Sequence, residues 1–287
     1  MEKNQESEWV MKEEEDEDDD IVCLDESFFI NDNYELTRFT FGSQVLELYC
    51  LQSASTDFDL TGQLVWPGAV LLNDYLSKNA DLLRGCSVIE LGSGVGITGL
   101  LCSRFCSEVV LTDHNDEILT RNIELHESSQ DHLSCAGLRA EKLEWGNSEQ
   151  LDYILQGHPG GFDLVLERKR VELEPSLTKF RGSGLEPSLT KFRGSSSTSL
   201  FVRNRARSSI PLLFDTVEKL LCASRGVKCK FILGYVSRAK VMDALVINEA
   251  RRHGLRVSEV AGTRTTVRNL EGVIYEITCP IVWLCHN

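Results

Sequence analysis

Between Glu90 and Gly99 the sequence reads ELGSGVGITG, with four glycines in ten positions. Backbone without side chains at Gly92, Gly94 and Gly96 can approach a ligand closely, and its N–H groups can face whatever binds there. That is chemistry for a nucleotide-like ligand. The run GVGITG satisfies G-x-G-x-x-G, the dinucleotide fingerprint, but taken alone that pattern does not say which ligand is held. Two acids frame the choice. Asp113, about twenty residues beyond the turn, can accept both hydroxyl protons of a ribose, as it would for NAD or for S-adenosylmethionine. Glu90, just ahead of the first glycine, separates the two. A carboxylate there would repel a pyrophosphate, whereas the ammonium and sulfonium of S-adenosylmethionine tolerate or favour it. His114 and Asn115, directly after Asp113, read equally as ribose-side neighbours and as plain loop residues.

Two tryptophans could add a flat apolar face for a base or a cation: Trp66 in LVWPG and Trp145 in LEWGN. Either could also belong to the core. The ten cysteines are scattered, with no C-x-x-C pair and no zinc-ligand spacing to a histidine, so they read as reduced, buried thiols.

These residues need elements to hold them. CSVIEL is a short continuous apolar run, as a strand covered on both faces of a parallel sheet should be. The glycine turn follows it, then the helical stretch ITGLLCSRFC, then a second apolar strand, EVVLTD, ending at Asp113. Strand, turn, helix and strand make a right-handed crossover unit of a Rossmann-like sheet. Further strands are expected at FDLVL (Phe162 to Leu166) and KFILGYV (Lys230 to Val236), with the helix IPLLFDTVEKLLC between them. The helix AKVMDALVINEARRHG follows, and RVSEVAGT and GVIYEITC close the sheet as an antiparallel pair. Upstream, ELTRFTFGSQVLELYCL alternates about Gly42-Ser43 and predicts a hairpin. Pro67 suits the first turn of a helix with Ala69, Leu72 and Leu76 on one face.

Charge divides the chain further. The whole carries a net charge of -14, but residues 1–20 alone hold eleven acids and two lysines. Such a segment cannot bury enough apolar surface to repay ordering, so a disordered acidic leader is expected, followed by a single domain over 21–287. At 42% hydrophobic the remainder can build a sizeable core. The start is the opposite of a signal peptide, and no apolar run is long enough to span a bilayer. A cytoplasmic protein is expected, with the nucleus as the other possible compartment.

The end of FDLVL breaks the pattern. Residues 167–209 form a connection of forty-three residues, with ten Lys or Arg and four Glu, where about two to six residues would be usual. Within it the block LEPSLTKFRGS occurs twice, at Leu173 to Ser183 and at Leu185 to Ser195. Two copies without an apolar face do not make a stacking repeat array. An irregular basic insertion is therefore expected. Glu167, at the strand end, is a candidate acid.

The segments LVWPGAVLLNDYL, VIELGSGVGITGLL, LTDHND, NIELH, LEWGN and FDLVL resemble, in order and register, methyltransferase family 16. These are seven-β-strand proteins that include protein-lysine methyltransferases. The likeness runs from about Glu35 to Leu166 and resumes near Ile210. It implies a class I methyltransferase fold, α/β with a mostly parallel seven-stranded sheet and antiparallel C-terminal strands. It also implies S-adenosyl-L-methionine as cofactor and a lysine side chain of a protein as acceptor. Carried over, it places Trp66 beside the methionine end of the cofactor with Gly92, Ser93 and Gly94 around it, Asp113 on the ribose and Trp145 near the adenine. The family's small-small-acid segment after the fourth strand is missing, which leaves the catalytic residues unassigned and the activity of this chain open. The stretch HNDEILTR is about one turn shorter than the family's helix there. A binding protein that keeps the pocket without catalysis, and an NAD(P)-dependent oxidoreductase, are the alternatives. No N-P-P-Y or D-P-P-Y box accompanies the fourth strand, so a nucleic-acid substrate is not expected.

Overall fold

A computed structural model describes residues 34–51, 62–114, 117–128, 137–168, 196–224, 229–237 and 240–280. The acidic leader, Asn115 and both copies of the duplicated block lie outside the described residues.

A hairpin comes first, β1 (Glu35–Phe41) and β2 (Gln44–Cys50), paired antiparallel with Phe41 opposite Gln44 so that Gly42-Ser43 form the turn. The first helix, α1 (Pro67–Lys78), starts with Pro67 and buries Ala69, Leu72 and Leu76 together with Leu71. The crossover unit then follows as β3 (Ser87–Leu91), α2 (Ile97–Cys102) and β4 (Glu108–Asp113). The chain continues through α3 (Glu117–Ser128), β5 (Gly137–Lys142), α4 (Ser148–Gly157), β6 (Leu164–Arg168), α5 (Ser196–Ala223), β7 (Lys230–Val236) and α6 (Lys240–Arg252). It closes with β8 (Arg256–Glu259), β9 (Thr265–Val267) and β10 (Leu270–Thr278).

The sheet runs β5-β4-β3-β6-β7-β10-β8, with β9 paired to β10 off this path. The five strands from β5 to β7 are parallel, while β10 is antiparallel to both β7 and β8. This is the expected class I arrangement. Chain order reverses between β3 and β6, so their carboxyl ends open a crevice at a topological switch point, where ligands of open α/β sheets bind.

Period-two alternation splits the core into two layers. Val88, Leu164, Leu166 and Ile232 point toward α1, α2, α3 and the hairpin. Ile89, Leu91, Val165, Phe231 and Leu233 point toward α4, α5 and α6. Glu90 and Arg168 fall on the α2 face by the same alternation, and Glu167 on the other. On α3 the buried Ile118, Leu119, Asn122, Ile123 and His126 form one continuous face, so the shorter stretch before NIELH leaves that helix's packing intact.

Two features differ from expectation. The strand β5, GLRAEK, carries no apolar run to announce it; as an edge strand it is half exposed, and it pairs only with β4. The stretch 167–209 is not irregular throughout. Glu167 and Arg168 complete β6, and α5 begins at Ser196 instead of near Ile210. The extension runs through Pro211, which has no N–H to donate one turn back, so the helix lacks one backbone hydrogen bond there.

Candidate functional site

The glycine turn leaves β3 at the switch point and is locked to β4 from behind. Ser93 N–H donates to Thr112 O at 2.8 Å, Thr112 N–H donates to Ser93 Oγ at 3.1 Å, and Thr112 Oγ1 donates to Glu90 O at 2.8 Å. Ser93 is fully buried; its hydroxyl serves the turn and its carbonyl accepts from Arg168. Gly94 has φ of +50°, and its N–H donates to Asp113 Oδ2 at 2.7 Å. A Cβ at Gly94 would stand 2.3 Å from Gly62 O and 2.5 Å from Arg168 Nη2. Only glycine fits there.

Asp113 ends β4 as predicted and is 6% exposed. Besides Gly94, its carboxylate takes the His114 N–H at 2.8 Å and lies 2.6 Å from His114 Nδ1, both at Oδ1. Beside it a shallow cleft of about 20 Å³ is lined by Gly94, Asp113, His114, Glu117 and Gln63. That is room for about a water, so a nucleoside needs Gly62 or Gln63 to move.

Glu90 lies beneath the turn, fully buried, with Oε2 accepting the Gly99 N–H at 2.9 Å and Oε1 without a hydrogen-bond partner. Burial pushes its pKa above the usual carboxylate range. The Arg168 guanidinium, the Gly99 N–H and the nearby Ser93 and Thr98 hydroxyls pull the other way. Its charge therefore acts from behind the turn.

Trp145 is half-buried, and its ring edge packs on the turn; a Cβ at Gly92 would meet Cζ2 at 3.2 Å. The loop carrying it is pinned to α5 by Gly146 N–H, which donates to Thr216 Oγ1 at 2.9 Å. Trp66, buried, caps the start of α1 and accepts the Ala69 and Val70 N–H groups at its carbonyl. What meets the glycine turn from this side is Gly62, four residues earlier in the same loop. The structure thus gathers Glu90, Gly92, Ser93, Gly94, Asp113 and Trp145 around one turn, with Trp66 at the base of the adjoining loop.

Two residues of this site were not singled out by sequence. Arg168, 5% exposed, reaches from β6 to donate to Ser93 O at 2.6 Å and to Gly92 O at 3.5 Å. Its signal was its place two residues past FDLVL, at the carboxyl end of a core strand, but it read as the start of a basic insertion. Asn122 of α3 accepts Tyr49 N–H at 2.7 Å and donates to Tyr49 O and Val95 O, each at 2.9 Å. It joins the hairpin to the glycine turn. Glu167 is 1% exposed and packs within the sheet, its backbone registered against Leu91 and Leu233. Among the described residues no cluster of three or more His, Cys, Asp or Glu could hold a metal ion, and no helix is long and apolar enough to cross a membrane.

With the Arg168 guanidinium seated on the turn's carbonyls, it is the buried acids Glu90 and Asp113 that suit a ligand presenting hydroxyls and positive charge more than a pyrophosphate. Comparison with known proteins agrees. The chain is 35% identical over 117 residues to mouse protein N-lysine methyltransferase METTL21A, which covers 40% of this chain and 50% of that protein. It is 33% identical over 159 residues to mouse EEF1A lysine methyltransferase 3, covering 53% and 61% respectively. Human methyltransferase-like protein 22 matches at 35% over 97 residues, 32% of this chain and 23% of that protein. The chain thus spans about half or less of the length of the first curated relatives it matches. The oxidoreductase and binding-only alternatives found no support in these matches. The lysine methyltransferase family model matches residues 47–219, more than half of the 287 residues and the whole of the clasped turn, and the protein belongs to that family.

Proposed function

We propose that the protein transfers a methyl group from S-adenosyl-L-methionine to the side chain of a lysine in another protein. The observation that carries this reading is the turn at Gly92–Gly94, held by Asp113 through the Gly94 N–H, with Glu90 buried behind it, in a chain of the lysine methyltransferase family. The buried Glu90 side chain and the Gly92 and Ser93 carbonyls, on which Arg168 is seated, would favour the cofactor's cationic end. Its full length needs the Gly62 loop to give way.

When bound, the cofactor supplies a methyl carbon on a sulfonium, open to in-line attack by a neutral amine. In this chain Asp113 would accept the ribose hydroxyls while continuing to hold Gly94. Trp145 offers its ring face beside Gly92, where an adenine can lie against it and exclude water. Glu90, buried behind the turn, would favour a cationic group there when ionised. A lysine must arrive uncharged, through desolvation or a proton acceptor. The carboxyl end of β6, at Glu167 and Arg168, is the position in the fold from which an acceptor-side group would act.

Calorimetric titration of the full chain with S-adenosylmethionine and with S-adenosylhomocysteine tests the cofactor half, and the reading is abandoned if neither binds folded protein. Tritiated-methyl transfer to the proteins of a cell extract tests the acceptor half. Label on lysine supports it, and label confined to other residues or to nucleic acid refutes it.

A further inference from the structure

Arg168 Nη2 donates to the carbonyls of both Gly92 and Ser93 in the glycine turn, at 3.5 Å and 2.6 Å. The guanidinium lies so close over Gly94 that a Cβ there would sit 2.5 Å from Nη2. Buried this far, it stands as a permanent cation at the end of the crevice where Glu90 supplies the negative charge. The seat is incomplete: Arg168 Nη1 and Glu90 Oε1 are both buried without a hydrogen-bond partner, so guanidinium and carboxylate attract without closing an ion pair. That attraction opposes the burial that raises the Glu90 pKa, and burial prevails.

Resting on the cofactor reading above, we propose that Arg168 sets the charge preference of this crevice, disfavouring the methylated, sulfonium form of the cofactor relative to its neutral thioether product. S-adenosylmethionine brings an ammonium and a sulfonium toward one buried carboxylate, and the guanidinium makes a third positive charge there. S-adenosylhomocysteine lacks the sulfonium charge and is repelled less. In a site shielded from water such differences are larger than in solvent. The guanidinium also competes for the Gly92 and Ser93 carbonyls, which either form of the cofactor would otherwise use for its ammonium. Competition weakens both forms, and repulsion weakens the sulfonium form more.

The test is calorimetric titration of the full chain, as wild type, Arg168→Gln and Arg168→Lys, with both compounds. The wild type should bind S-adenosylhomocysteine more tightly than S-adenosylmethionine. Arg168→Gln should tighten S-adenosylmethionine by roughly tenfold or more, with a smaller gain for the product. Arg168→Lys, which keeps the charge, should retain the wild-type ratio. Equal gains for both compounds, a loss of S-adenosylmethionine affinity in Arg168→Gln, or a wild type that prefers S-adenosylmethionine would overturn the proposal while leaving the cofactor reading standing. Should Arg168→Gln fail to fold, Arg168→Met, likewise uncharged, takes its place with the same expected change in ratio. No binding by any variant overturns both.

Discussion

The Gly94 N–H donates a 2.7 Å hydrogen bond to Asp113 Oδ2, so the turn after β3 and the end of β4 share one carboxylate. Removing it does two things at once. Asp113→Ala leaves a buried N–H unserved, which costs about 1–3 kcal/mol of stability. It also removes the proposed ribose acceptor, so affinity for S-adenosylmethionine should fall at least roughly tenfold. Asp113→Asn keeps an acceptor oxygen for Gly94 and should recover much of the stability but less of the affinity. Urea unfolding and calorimetric titration separate the two effects.

Glu90 predicts opposite signs for stability and binding. Its pKa is raised by burial, with Arg168 as the largest opposing influence. The folded state therefore holds this proton more tightly than the unfolded chain, and wild-type stability falls as pH rises from the unfolded value of 4.5 toward the folded one. Glu90→Gln cannot ionise and can still accept the Gly99 N–H through its amide oxygen. Its melting temperature should exceed the wild type's at about pH 8, with the difference closing toward about pH 4. Its affinity for S-adenosylmethionine should be lower. A melting difference that grows as pH falls would refute this.

Trp145 packs its ring edge on Gly92 and is only half-buried. Trp145→Ala should weaken binding of S-adenosylhomocysteine by about tenfold, in line with about 0.5–1.5 kcal/mol for a lost aromatic contact plus the lost apolar area. Trp145→Phe should restore most of the affinity. If the alanine variant bound the product as the wild type does, Trp145 would be a scaffold residue and no part of the pocket.

Asn122 serves Tyr49 twice and Val95 once from the interior of the α3 face. Asn122→Ala orphans these groups together and should cost about 2–4 kcal/mol in denaturant unfolding. Asn122→Asp keeps the acceptor for Tyr49 N–H but loses both donated bonds and buries a charge, so it should be no better. An alanine variant as stable as the wild type would mean that water replaces the side chain without loss.

Much of the scaffold was legible because each of its signals is local. Ser87–Leu91 and Glu108–Asp113 are apolar runs, and the sheet buries them on both faces. Pro67 fixes the start of α1, and Gly42-Ser43 the hairpin turn. β5 escaped notice because an edge strand needs little apolar surface. Arg168 and Asn122 escaped for a different reason. Their roles depend on partners more than seventy positions away in sequence, at Ser93 and Tyr49, and no spacing rule connects them. The same limit applies to Glu90. Its type and place were readable, whereas its aim toward the α2 backbone, behind the turn, is set by the alternation of β3 against a helix packed over it.

The bridge at Asn122 has a consequence for how occupancy could be watched. One side chain holds the Tyr49 amide of β2 and the Val95 carbonyl of the glycine turn. Any ligand that holds the turn in place must then also hold Tyr49, since stabilisation at one end of a shared contact is felt at the other. The Tyr49 amide proton becomes an isotopic reporter for the pocket, readable in a protein to which no label or dye has been added. Its exchange with deuterium should slow as S-adenosylhomocysteine saturates, and in Asn122→Ala that slowing should vanish.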